Sequence, residues 1–124
     1  MNHLLLVAHG SRRASSNEEV HRLAEQLKSL AGTQYADVSA AFLELVEPSI
    51  PAAIQTAIDK AAQEIIVLPY FLSRGRHVVT DVPTQVQIKQ TEYPQVKITI
   101  APYLGAEQAS LAALLLEILS KHHE

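Results

Sequence analysis

Two histidines each follow an apolar run: His9 in Leu4-Leu5-Leu6-Val7-Ala8-His9-Gly10-Ser11-Arg12, and His77 in Val67-Leu68-Pro69-Tyr70-Phe71-Leu72-Ser73-Arg74-Gly75-Arg76-His77. A neutral imidazole is both a ligand for divalent first-row metals and a proton acceptor near pH 7. Arginines stand close to each: Arg12 and Arg13 after the first, Arg74 and Arg76 before the second. Their guanidinium groups suit an anionic partner. Glu44 ends a third apolar stretch, while Glu47, just before Pro48, reads as solvated charge. Two imidazoles and a carboxylate can hold a divalent metal and leave coordination positions open, as exchange or catalysis requires.

Taken one at a time, each residue has a plainer role. A lone His9 would cap a strand, and Arg74 or Arg76 alone would sit in a solvated basic loop. The neighbours shift the balance. Gly10 lets backbone approach a ligand, Ser11 offers a hydroxyl and an N–H, and the helix after them turns its N-terminal dipole toward the same place. Gly75 gives mobility to a loop holding two arginines and His77. His3, at the opposite end of its strand, His21 in mid-helix and the tail pair His122 and His123 carry less weight, and the tail is expected to fray. Asp81 is read as the cap of a helix.

The elements that must position these residues alternate strand and helix four times. Leu4–Ala8 is a continuous apolar run, as in a strand buried on both faces. A helix follows from Ser16 or Asn17, with Val20, Leu23, Ala24, Leu27 and Leu30 on one face and Gly32 ending it. Val38–Leu43 is the second strand, and Pro48-Ser49-Ile50-Pro51 opens the second helix. Glu64–Leu68, mostly β-branched, is the third strand. A weaker helix spans about Val82–Thr91, the fourth strand Val96–Ala101, and the last helix Glu107 to about Lys121. Pro69-Tyr70 and Pro102-Tyr103 echo each other past two strands: turn chemistry for the prolines, with the tyrosines as candidate pocket walls. This order predicts an α/β fold, a doubly wound, four-stranded parallel sheet with helices on both faces. The loops after the carboxyl ends of such strands open onto one shared crevice.

Bulk properties narrow the chemistry further. A chain of 124 residues fits one domain over 1–124, and 48% hydrophobic with 19% charged residues is ordinary for a globular fold. A net charge of −3 gives no general pull toward nucleic acid or anionic membrane, so any anion site must be a local cluster. Without cysteine there are no disulfides, thiolate sites or cysteine nucleophiles. The run Leu4–Ala8 is too short for a signal core or a membrane span, which points to the cytoplasm. Dinucleotide, P-loop, nucleophile-elbow and His-Glu-x-x-His motifs are absent from the sequence.

Three segments, in order, resemble the class II tetrapyrrole chelatases of the CbiX/SirB type in their short form. They are Val7-Ala8-His9-Gly10-Ser11-Arg12, then Phe42-Leu43-Glu44 with Pro48-Ser49, then Val67 to Leu72 with Gly75, His77, Asp81 and Pro83. The resemblance implies insertion of a divalent metal into sirohydrochlorin or a close relative: cobalt first, iron or nickel otherwise, with no cofactor beyond that metal substrate. It makes His9 metal ligand and proton acceptor, and His77 the second ligand. Glu44 would contact the substrate or the metal, the loop Leu72, Ser73, Arg74, Gly75, Arg76 and His77 would line the macrocycle, and Arg12 would contact its carboxylates. It also implies a homodimer, whose two copies stand in for the two halves of longer relatives. The leucine-rich last helix (Leu111, Leu114, Leu115, Leu116, Leu119) fits that expectation, being apolar over more than one face. Two rivals differ in kind. A histidine phosphatase would want arginine before the His-Gly pair, where Ala8 stands. A non-catalytic tetrapyrrole or metal carrier would share the fold.

Overall fold

The computed structural model describes residues 1–122, apart from the side chain of His77; His123 lies outside the described residues. The elements run β1 (Asn2–Ala8), α1 (Ala14–Ala31), β2 (Asp37–Phe42), α2 (Ile50–Asp59), β3 (Glu64–Pro69), α3 (Val82–Glu92), β4 (Lys97–Ile100) and α4 (Gln108–Lys121). A π-helical turn, His77–Asp81, leads into α3, and a short 3-10 turn, Leu104–Ala106, precedes α4. Among the described residues the four strands form one parallel sheet in the order β2-β1-β3-β4. The doubly wound α/β architecture is the one expected. No helix among them is long and apolar enough to cross a membrane.

The central strand explains its own sequence. β1 is paired on both sides, and Leu4 to Ala8 are all buried, so it needs apolar side chains on both faces. On one face Leu5 and Val7, with Ile65 and Val67 of β3, pack against Ile50, Ile54 and Ala57 of α2 and Val82 and Val86 of α3. On the other, Leu4, Leu6, Ala8 and Phe42 pack against Val20 and Ala24 of α1. Each of the fully buried Leu5, Ile54 and Ile65 contributes about 1.5–3 kcal/mol by leaving water. At the start of α2 the Ser49 hydroxyl accepts from Ala52 N–H, and Pro51 sits in the first turn, as the sequence suggested.

Three local expectations are corrected. α1 starts at Ala14, two or three residues early, because Asn17 is not its cap: the Asn17 amide holds Ser11, accepting its N–H (3.0 Å) and donating to its carbonyl (2.8 Å). Leu30 is 87% exposed, off the packed stripe. Asp81 already has helical backbone and makes no side-chain cap bond, since the π-helical turn carries the helix back to His77.

β3 and α4 are less covered than the central strand. Ile65, Val67 and Pro69 are buried but Ile66 and Leu68 only half-buried, because α1 shields the β1 and β2 part of its face and leaves β3 open. No residue of α4 is buried, and 112–121 are all exposed.

Candidate functional site

β1 and β2 stay paired past their last ladder residues. Leu43 N–H donates to the Ala8 carbonyl (2.9 Å) and Glu44 N–H to the His9 carbonyl (3.1 Å). This sets two side chains from separate strand ends against each other: His9 Nε2 lies 2.7 Å from Glu44 Oε2. Both stand in reach of solvent, with 44% and 53% of their side chains exposed. When Glu44 is ionised it accepts from Nε2–H, and the lone pair of the neutral ring is then on Nδ1. The pair therefore offers a nitrogen lone pair and a carboxylate that orients the ring and can take a proton.

Gly10 is needed for this approach. Its φ is +100°, and a Cβ there would overlap the carbonyl oxygen of Glu44. After Glu44 the chain makes a three-residue turn, Val46 N–H donating to the Glu44 carbonyl (2.9 Å), with Leu45 at φ +73° and 55% exposed. A leucine held in the left-handed region beside a polar rim fits a constrained site. Ser11, expected to offer groups to a ligand, is engaged locally: its N–H goes to Asn17 and its hydroxyl accepts from Arg13 N–H (3.0 Å).

The third wall comes from β3. Tyr70 N–H donates to the Val7 carbonyl (2.7 Å), which carries Phe71 to the other side of His9, ring edge to ring face at 6.5 Å and 68°. From Phe71 the chain passes through Leu72, Ser73, Arg74, Gly75 and Arg76, all five exposed. The root of this loop is held from an unexpected quarter. Gly105, buried before α4, donates its N–H to the Phe71 carbonyl (2.9 Å), and a Cβ on it would overlap the Leu72 carbonyl. At the far end, Val78 and Val79 N–H both donate to the Gly75 carbonyl (3.1 Å each).

The structure thus joins His9 and Glu44 directly, sets Leu72 beside Phe71 and leaves Arg12 exposed on the loop after Gly10. Arg74 and Arg76 stand in the neighbouring loop, and His77 opens the turn into α3, its side chain outside the described residues. Two participants were missed in the sequence. Phe71 was read only as part of a motif. Asp81 borders a hollow of about 460 Å³ together with Leu43, Glu44, Thr80, Thr84 and Gln85. Its available signal was helical spacing, since Thr80, Thr84 and Gln85 share a face distinct from buried Val82 and Val86. Among the described residues no three histidine, aspartate or glutamate side chains gather as a metal-binding set.

The CbiX family model matches residues 3–121. The chain belongs to the CbiX family. Sirohydrochlorin cobaltochelatase of Methanocaldococcus jannaschii is 41% identical to this CbiX chain over 83 residues, 67% of the chain and 57% of that protein. Chloroplastic sirohydrochlorin ferrochelatase of Arabidopsis thaliana is 32% identical over 117 residues, 94% of the chain and 49% of that protein. The chain therefore spans about half to three-fifths of the length of these curated relatives. A solved structure described as a CbiX protein of cobalamin (vitamin B12) biosynthesis, from Marinobacter aquaeolei VT8, superposes with a TM-score of 0.79. It is 25% identical, with 98% of this chain and 94% of that chain covered.

Proposed function

We propose that this CbiX chain inserts a divalent metal, Co²⁺ first, into sirohydrochlorin. The observation that carries the reading is the His9–Glu44 pair, 2.7 Å apart at the carboxyl rim of the sheet, with Leu45 and Leu72 exposed on the loops beside it. A free-base macrocycle must lose its pyrrole N–H protons as the metal enters, and an imidazole backed by a carboxylate is a proton acceptor suited to neutral pH. His9 acts as metal ligand and proton acceptor, His77 as the second ligand, and few protein ligands leave the metal free to depart. Apolar Leu45 and Leu72 suit the ring face, while Arg12, Arg74 and Arg76 suit its peripheral carboxylates.

Cobalt draws support from the 41% identity to an archaeal cobaltochelatase, iron from the match to the plant ferrochelatase over 94% of the chain. The working unit in this reading is a homodimer, supported by relatives about twice as long as the stretch they share with this chain. Anaerobic mixing of the protein with sirohydrochlorin and Co(II), Fe(II) or Ni(II) in turn, followed by absorption, tests it. Accelerated spectral conversion with cobalt is expected. Tight macrocycle binding with no acceleration for any metal would leave a carrier instead.

A further inference from the structure

The segment that joins β1 to α1 runs from His9 to Arg13, and its middle residue is held at every polar group. Ser11 donates its N–H to Asn17 Oδ1 (3.0 Å), and its carbonyl accepts from Asn17 Nδ2 (2.8 Å). Its hydroxyl accepts from the Arg13 N–H (3.0 Å). Ser11 and Asn17 are both half-buried, whereas Arg12 between the two contacts is exposed.

The consequence falls on Arg12. Peptide units are planar, so a residue's direction is set by the two planes that flank its Cα. The plane before Arg12 contains the Ser11 carbonyl, fixed by the Asn17 amide. The plane after it contains the Arg13 N–H, fixed by Ser11 Oγ. Further out, the Arg13 carbonyl accepts from Ser16 N–H (3.1 Å), and the His9 carbonyl from Glu44 N–H (3.1 Å). An exposed arginine thus stands on backbone held from both sides. Solvation alone gains nothing from that. An arginine that must meet an anion does gain, because less freedom is lost on binding. A guanidinium also pairs with a carboxylate through two parallel N–H···O bonds, which makes its direction matter.

The residue type at position 17 fits this duty. Asparagine is a weak helix former, yet Asn17 stands within the first residues of α1. Helical side chains lean toward the N-terminus, which brings the amide back over Ser11. An amide carries a donor and an acceptor on one short stem; a carboxylate lacks the donor and leucine lacks both.

We propose that Asn17 is a positioning residue, which through Ser11 presets Arg12 to bind a carboxylate at the edge of the macrocycle. For its substrate this rests on the chelatase reading and deepens it. Asn17 acts through Arg12 rather than on the substrate.

Titration of the full-length protein with metal-free sirohydrochlorin at low salt, followed by absorption, reads the relay without any insertion step. Arg12→Ala is expected to raise Kd about fivefold and Asn17→Leu about threefold, the range of one partly exposed charge pair. The double variant should bind no more weakly than Arg12→Ala, because the same contact is lost only once. Each single variant should also flatten the salt dependence of binding, and the double variant no more than Arg12→Ala does. Ser11→Ala releases the second plane and repeats the cycle should Asn17→Leu fold poorly. Losses that multiply in the double variant would mean that Asn17 acts elsewhere, and would overturn the proposal while the chelatase reading stands. An unchanged Kd in both folded variants, Asn17→Leu and Ser11→Ala, would do the same. A parent chain that does not bind sirohydrochlorin overturns that reading, and this proposal with it.

Discussion

The contact between His9 and Glu44 does two things that neither residue does alone. The carboxylate fixes the ring and favours one tautomer, and the ring keeps the carboxylate close to where a proton must go. In the proposed reaction, loss of the imidazole therefore removes a ligand and a base together. His9→Ala and His77→Ala are each expected to slow insertion by at least about tenfold, with circular dichroism unchanged. Full activity at limiting metal in either variant would remove that histidine from the mechanism. A different histidine makes stability depend on pH. His3 is 3% exposed, and its Nε2 has no hydrogen-bond partner among the described residues. Burial pushes its pKa below 6.5; the Asp37 charge pulls the other way, and the nearby cations Lys60, Lys28 and the N-terminus add to the lowering. The unfolded chain thus binds more protons than the folded one just below pH 6.5, so this contribution is complete above 6.5 and is lost as pH falls toward the folded value. Asp37, also lowered, stays ionised there: burial alone would raise it, but the Lys28 hydrogen bond and the Lys28 and Lys60 charges win. Thermal melts should show stability falling between pH 7 and pH 5.5, and His3→Leu should flatten that slope. An unchanged slope in the variant would assign the effect elsewhere.

At the scale of elements, the site is three loops held by backbone pairing. The one carrying Arg74 and Arg76 is exposed throughout, so in the proposed reaction its cations would meet the substrate from the surface. Arg74→Ala or Arg76→Ala is expected to raise KM more than it lowers kcat, since an ion pair to a peripheral carboxylate persists through the reaction. The difference should shrink as salt rises, and identical KM values at low salt would assign carboxylate recognition to other residues. Gly105 holds the loop's root through its N–H bond to Phe71, and glycine is needed there for steric room, its φ being unexceptional. Gly105→Ala should push Leu72 away, lowering activity more than melting temperature and speeding tryptic cleavage after Arg74 and Arg76. Unaltered proteolysis would mean the loop does not rest on this contact. Much of this was legible in sequence. The apolar run of β1 and the helical spacing of α2 reflect burial that each segment shows by itself, and His9, Gly10 and Glu44 follow from strand ends in a parallel sheet. What was not legible depends on distant neighbours. Asn17 reads as a helix start until its amide is seen to hold Ser11, and Asp81 as a cap until the turn before it proves helical. Gly105 lies 33 positions from Leu72, a proximity no local pattern encodes.

The whole molecule sets two opposing conditions. A net charge of −3 would repel the proposed polycarboxylate substrate at long range, so in that reading attraction comes from the arginine-bearing rim. One sheet with one set of rim loops also presents a single open wall to a wide flat ring, while relatives about twice as long as their shared stretch carry a further half. Two copies of this chain supply an equivalent surface. The core of each copy is built by the sheet with α1, α2 and α3, and no residue of α4 is buried in it. In the proposed dimer, association can therefore be broken without unfolding the chain. Sedimentation at micromolar concentration should give twice the 13.6 kDa chain mass. By mass action, the melting temperature should rise with protein concentration. Placing charges in the leucine rows, Leu115→Asp with Leu119→Asp, should give a monomer that keeps the strand signal of the sheet and loses the concentration dependence. Its insertion rate should fall, because the ring then meets only one wall. A folded monomer with the full rate of the parent chain would sink the dimer and force the macrocycle to be held against a single open face.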